Sequence, residues 1–139
     1  RDLDLFGKDD AFAVTLTCID DEESLKWEPG AALPEDRINA IRAFHEAGIP
    51  TWVSFEPVVN PDAVYLLIQL THDVVDHYKV GRLNYHEHAK TINWQDFAMR
   101  VTGMLDAYRK PYYIKHDLLP FLPPSQRDRL DNGWNWQKG

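Results

Sequence analysis

Three times along this chain a short apolar, β-branched run gives way to a stretch in which apolar residues recur every third or fourth position. Ala11 to Ile19 (AFAVTLTCI) reads as a strand ending at Asp20 and Asp21. Pro34, Glu35 and Asp36 suit the first turn of a helix, and Ile38, Ile41, Ala43, Phe44 and Ala47 make its apolar stripe before Gly48 stops it. The stretch Gly48 to Asn60 (GIPTWVSFEPVVN) follows at once. Its apolar run is too short for a helix and too continuous for a half-wet strand, which fits a parallel strand covered on both faces. Asn60, Pro61 and Asp62 open a second helix with Val64, Leu67, Ile68, Thr71 and Val74 inward, and Tyr78 to Leu83 (YKVGRL) reads as a third strand. Asn93 caps a third helix with Asp96 at the capping-box position, and Ile92 is placed to staple against Phe97. Tyr112 to Lys115 reads as a fourth strand or extended segment. The LLPFLPP stretch after it is too rich in proline for regular structure.

Strand and helix alternating with short connections imply parallel strands joined by right-handed crossovers. The fold class expected is α/β, with three or four parallel strands and crossover helices, either half of an α/β barrel or a small open sheet. The expected domain spans residues 1–123, with 124–139 a surface tail carrying Trp134 and Trp136. Parallel strands would bring Thr17, Cys18 and Asp20, then Ser54 and Glu56, then Lys79, Arg82 and Asn84 to one rim, where α/β folds keep their chemistry. Glu56 is the sharpest of these. A carboxylate amid Trp52, Val53, Phe55, Val58 and Val59 has to be paired, ligand-bound or at a strand's carboxyl end.

Composition narrows the chemistry. With 139 residues, 44% of them hydrophobic, one domain with a packed core is expected. No apolar run reaches membrane-span length and no secretion-signal pattern opens the chain, so no membrane association and a cytoplasmic location are expected. The net charge of −7 argues against a phosphate-binding basic face, although nucleic acid in a parent protein stays open. Cys18 is the only cysteine, which excludes an internal disulfide and any cluster held by several thiolates of this chain. Arg1 to Gly7 reads as the last turn of an element whose beginning is missing, so the chain is expected to be a piece of a longer protein.

Asp20, Glu28-Pro29-Gly30, Arg37 and Glu46-Ala47-Gly48-Ile49-Pro50, together with Arg1-Asp2-Leu3-Asp4-Leu5 and Lys79-Val80-Gly81, resemble the pattern of radical S-adenosylmethionine proteins. The likeness is to the spore-photoproduct-lyase-like, or DNA-repair-photolyase-like, branch, and it runs from Arg1 to roughly Pro123. It implies a partial barrel of about six βα units, in which a four-iron four-sulfur cluster cleaves S-adenosylmethionine to a carbon radical. It also implies that this chain supplies the fourth to sixth strands. The family's cluster motif C-x-x-x-C-x-x-C is absent, so no cofactor is expected tightly bound and the chain alone should be inactive. The residues matching the cofactor and substrate wall are Thr17, Asp20, Ser54, Glu56, Lys79 and Asn84. In that assignment hydroxyls and carboxylates meet the ribose, and Lys79 meets the methionine carboxylate.

Plainer readings compete. Glu28 would pair with Arg37, Glu56 would pair with Lys79 on the neighbouring strand, and Cys18 would be a small buried apolar group. His86 and His88 with Glu56 form a conceivable metal site, the basis of an alternative self-contained α/β binding or metal-dependent hydrolase domain. His72 and His77 should lie on the far rim and so stay apart from that pair. The expected partners are the missing amino-terminal half of the barrel or, through open sheet edges, a second copy of the chain.

Overall fold

A computed structural model describes residues 11–16, 34–84 and 86–129. It is an α/β fold built on one four-stranded, wholly parallel sheet. The strands are β1 (Phe12–Thr15), β2 (Thr51–Phe55), β3 (His77–Val80) and β4 (Tyr112–Ile114), and they lie in the sheet in chain order. Helix α1 (Pro34–Glu46) connects β1 to β2, α2 (Pro61–Thr71) connects β2 to β3, and α3 (Trp94–Ala107) connects β3 to β4. A 3-10 turn at Leu119–Phe121 and a short helix α4 (Pro124–Arg129) follow, so the proline-rich stretch expected to be irregular is partly helical. Proline tolerates the first turn of a helix, where its missing N–H has no partner to lose. No described helix is long and apolar enough to cross a membrane.

Local chemistry sets the helix ends. The Asn60 side chain accepts from the N–H groups of Asp62 and Ala63, and Asn93 Oδ1 accepts from Asp96 N at 3.0 Å. At the end of α1, Gly48 adopts φ +80°, its N–H donates to His45 O, and Ile49 N donates to Phe44 O. That is a Schellman closure, with Ile49 and Phe44 both buried. Helix α3 closes the same way through Lys110 N to Leu105 O, but here the left-handed position holds Arg109 at φ 58°.

Packing makes the two faces of the sheet unlike. Val53, Phe55, Tyr78, Val80, Tyr112 and Ile114 belong to one buried cluster with Ile41 of α1, Val64, Leu67 and Ile68 of α2, and Phe97, Val101 and Leu105 of α3. Burying each such side chain contributes roughly 1.5–3 kcal/mol. Same-handed crossovers between strands laid down in sequential order place every connecting helix on the same face. The alternate residues, Trp52, Ser54, His77, Lys79 and Tyr113, point to the opposite face, are half-buried, and take no part in that cluster. The described helices cover one of these faces.

The strands are also shorter than their apolar runs. Within Ala11 to Ile19 the strand covers Phe12–Thr15, and residues 17–19 lie outside the described residues. Within Gly48 to Asn60 it ends at Phe55, because Pro57 has no N–H to continue a ladder, while Val58 and Val59 are buried in the loop.

Candidate functional site

At the carboxyl ends of the strands the site builds up in rows across the face that the described helices leave open. Ser54 is the register partner of Thr15 on one side and Lys79 on the other, and Lys79 is in turn the partner of Tyr113. The next row toward the rim is Glu56, Gly81 and Lys115, carried on by Gly81 N to Phe55 O and Lys115 N to Val80 O. Lys115 Nζ meets Glu56 Oε2 at 2.5 Å. The two backbones are two strand spacings apart, roughly 10 Å, and the side chains join directly above Gly81. A Cβ there would lie 2.8 Å from Glu56 Oε2 and 3.1 Å from Lys115 Cδ, so the row closes only over a residue without a side chain. The hydrogen bond that Lys115 donates to Glu56, more than the opposing loss of solvent, raises the Lys115 pKa above 10.5, and the charges of Glu56 and Asp117 add to it.

Of the residues expected to form the site, Ser54, Glu56 and Lys79 come together on this face, Ser54 and Lys79 as direct neighbours. Asn84 is exposed beyond the end of β3, where its Nδ2 donates to Asp117 Oδ2 at 2.7 Å. Thr17 and Asp20 lie outside the described residues, as do Cys18 and Glu28. Glu56 pairs with Lys115 and not with Lys79, because Lys79 sits one row lower, level with Ser54. Lys79 itself has no ion-pair partner among the described residues.

Tyr113, Lys115 and Asp117 were not singled out from sequence. The signal was there: Lys115 ends the fourth apolar run as Glu56 ends the second, and the same strand-end argument applies to both.

His88 Nε2 is 2.6 Å from Val59 O of the loop after β2, and His86 Nδ1 accepts from His88 N, so these two ring nitrogens bond to backbone groups. Among the described residues no group of three or more histidine, cysteine, aspartate or glutamate side chains could hold a metal ion. His77 lies at the amino-terminal end of β3, on the far rim as expected, and burial lowers its pKa below 6.5 against the opposing pull of Asp76.

Chemically, the face offers a hydroxyl at Ser54, an ammonium at Lys79, a phenol at Tyr113 and a carboxylate steadied by Lys115. That set suits a small polar ligand carrying an anionic group and hydroxyls. Comparison with protein-family models, with curated proteins and with solved structures gives no match for this chain.

Proposed function

We propose that this chain is the later part of a (β/α) partial barrel, and that the sheet face its described helices leave open is the cofactor and substrate wall of a radical S-adenosylmethionine enzyme of the spore-photoproduct-lyase-like branch. The observation that carries the reading is the winding. Four parallel strands in chain order, with their helices on one face, are what a barrel requires, whereas an open doubly wound sheet reverses its strand order and covers both faces. In a barrel the helix-free face is the interior, and here it carries Ser54, Glu56, Lys79 and Lys115.

The residues fit one of the family's two cofactors and not the other. With a single cysteine the chain cannot hold a cluster bound by three thiolates, so the cluster belongs to a different part of the parent and this chain alone is inactive. For S-adenosylmethionine the donors are suitable: Lys79 beside Ser54 for a carboxylate, Glu56 for hydroxyl groups. A groove lined by Phe12, Val14, Arg37, Ala40 and Ala43 runs beside β1, the strand next to which an upstream βα unit would pack.

The coding frame ahead of Arg1 tests the proposal first, since it must contain three cysteines spaced C-x-x-x-C-x-x-C. In the protein that includes them, Lys79→Met should weaken S-adenosylmethionine binding by about tenfold, the loss of one charge-assisted contact. A frame without the cysteines, or unchanged binding in the variant, sinks it.

A further inference from the structure

Arg82, two residues beyond β3, stands apart from the other basic side chains. Its guanidinium carbon lies 5.2 Å from the centre of the Trp94 ring and 5.3 Å from that of Phe121. Both rings are fixed. Trp94 is buried with its Nε1 donating to Ala89 O at 3.0 Å, and Phe121 packs against the core. The guanidinium is thus held in place by aromatic faces, which attract its charge without using its N–H groups.

Its hydrogen-bonding capacity is left over. A guanidinium has five donors in a rigid fork. Among the described residues the buried Nε has no acceptor, and no carboxylate stands within ion-pair distance of Arg82. Anions are not scarce, since the chain has 22 acidic residues against 15 basic ones. Arg42 pairs with Asp73 and Arg100 with Asp96, both on the surface. Arg82 is held by two rings and, among the described residues, has no carboxylate partner. Clamping also removes the rotamer entropy that a free arginine loses when it binds an anion. Trp94 opens α3, so an anion on Arg82 would also lie toward the positive end of that helix.

We propose that Arg82 is an oxyanion receptor, a guanidinium pre-positioned by Trp94 and Phe121 to take a phosphate or carboxylate group of a ligand at the carboxyl rim of β3. The receptor does not depend on the barrel reading. It uses no residue of the Ser54, Glu56 and Lys79 face, and it stands whether or not S-adenosylmethionine binds there.

The test is nuclear magnetic resonance of the arginine Nε–H groups of the full chain, since a buried Nε–H exchanges slowly with water and gives a resolved signal. The Arg82 signal is assigned by its loss in Arg82→Met, which keeps the stem against the rings. Inorganic phosphate is titrated in one arm and acetate in another, with chloride holding ionic strength constant. The expected result is a saturable shift of the Arg82 signal that exceeds any shift at Arg100, with affinity, read from the Trp94 indole N–H shift in both chains, at least tenfold weaker in Arg82→Lys, whose point charge lacks the fork. Tighter phosphate binding assigns a phosphate ester as the ligand group, and tighter acetate binding a carboxylate. An Arg82 signal that responds to neither anion, or no more than Arg100 does, overturns the proposal. The shifts at Arg82 and Arg100 are read on the wild-type chain, and Arg82→Met serves only to assign the signal, its fold checked by the unchanged signals of the other arginines.

Discussion

Lys115 Nζ and Glu56 Oε2 meet at 2.5 Å across the full width of β3, joining the ends of two strands that are not neighbours in the sheet. The contact exists because the strand between them presents Gly81 at that row. It ties β4, only three residues long, to the middle of the sheet and fixes the carboxylate on the face that the described helices leave open.

Gly81→Ala should disturb this pair before it disturbs the backbone. The new methyl group meets the mobile ends of two side chains, so the expected loss of stability is about 1 kcal/mol. Gly81→Val should cost more, up to roughly 3 kcal/mol. Urea unfolding of the two variants checks both, and an alanine variant as stable as wild type would show that the pair yields freely.

The Glu56–Lys115 pair should carry a modest energy and a specific pH signature. Its side chains keep 27% and 35% of their exposure, so solvent screening limits the coupling to about 1 kcal/mol or less in a double-mutant cycle with Glu56→Gln and Lys115→Met. The folded Lys115 pKa is raised, so this stability is fully present below 10.5 and is lost as pH rises through the folded value. Tyr65, pushed up to about 12 chiefly by burial, destabilises the fold over the same alkaline range. The diagnostic quantity is therefore the difference between wild type and Lys115→Met, which should shrink on going from neutral pH to above that range.

Acid should weaken the fold through His77. Its folded pKa is lowered by burial, so the unfolded chain binds more protons and stability falls as pH drops below 6.5. His77→Gln should flatten the pH dependence of the melting temperature between neutral and mildly acidic conditions. An unchanged slope would remove His77 from the account.

A buried hydroxyl pair allows a test of sign. Thr71 Oγ1 donates its one proton to Leu67 O at 2.7 Å, so in the 2.7 Å contact between them Tyr78 must be the donor and Thr71 the acceptor. Tyr78→Phe removes a donor and should cost about 1 kcal/mol, whereas Thr71→Val strands the buried Tyr78 hydroxyl and should cost about 1–3 kcal/mol. Equilibrium unfolding that gives the reverse order would contradict this donor assignment.

Arg109→Gly should stabilise the protein. A non-glycine residue in the left-handed region costs about 1–2 kcal/mol, and glycine removes that while adding about 0.5–1 kcal/mol of backbone entropy cost. A net gain near 0.5–1 kcal/mol is expected in thermal or urea unfolding, with the closure of α3 retained.

Helices were the most legible part of the chain. Pro34, Pro61, Asn60, Asn93 and Gly48 act on their own immediate neighbours, and each one starts or stops its helix where local chemistry requires. Parallel strands likewise followed from β-branched runs separated by helices. Strand ends were less legible, because apolar residues such as Val58 and Val59 can be buried equally well in a loop. What the amino-acid order alone determined, then, was the kind and succession of elements, together with Ser54, Glu56 and Lys79 as strand-end polar residues. Only the tertiary structure decided that Glu56 would meet Lys115 in place of Lys79, that Gly81 would make room for them, and that Arg82 would rest on Trp94 and Phe121. The physical reason is register. A hydrogen-bonded ladder aligns residues tens of positions apart to within one row, and a single row's difference changes which charge a carboxylate can reach.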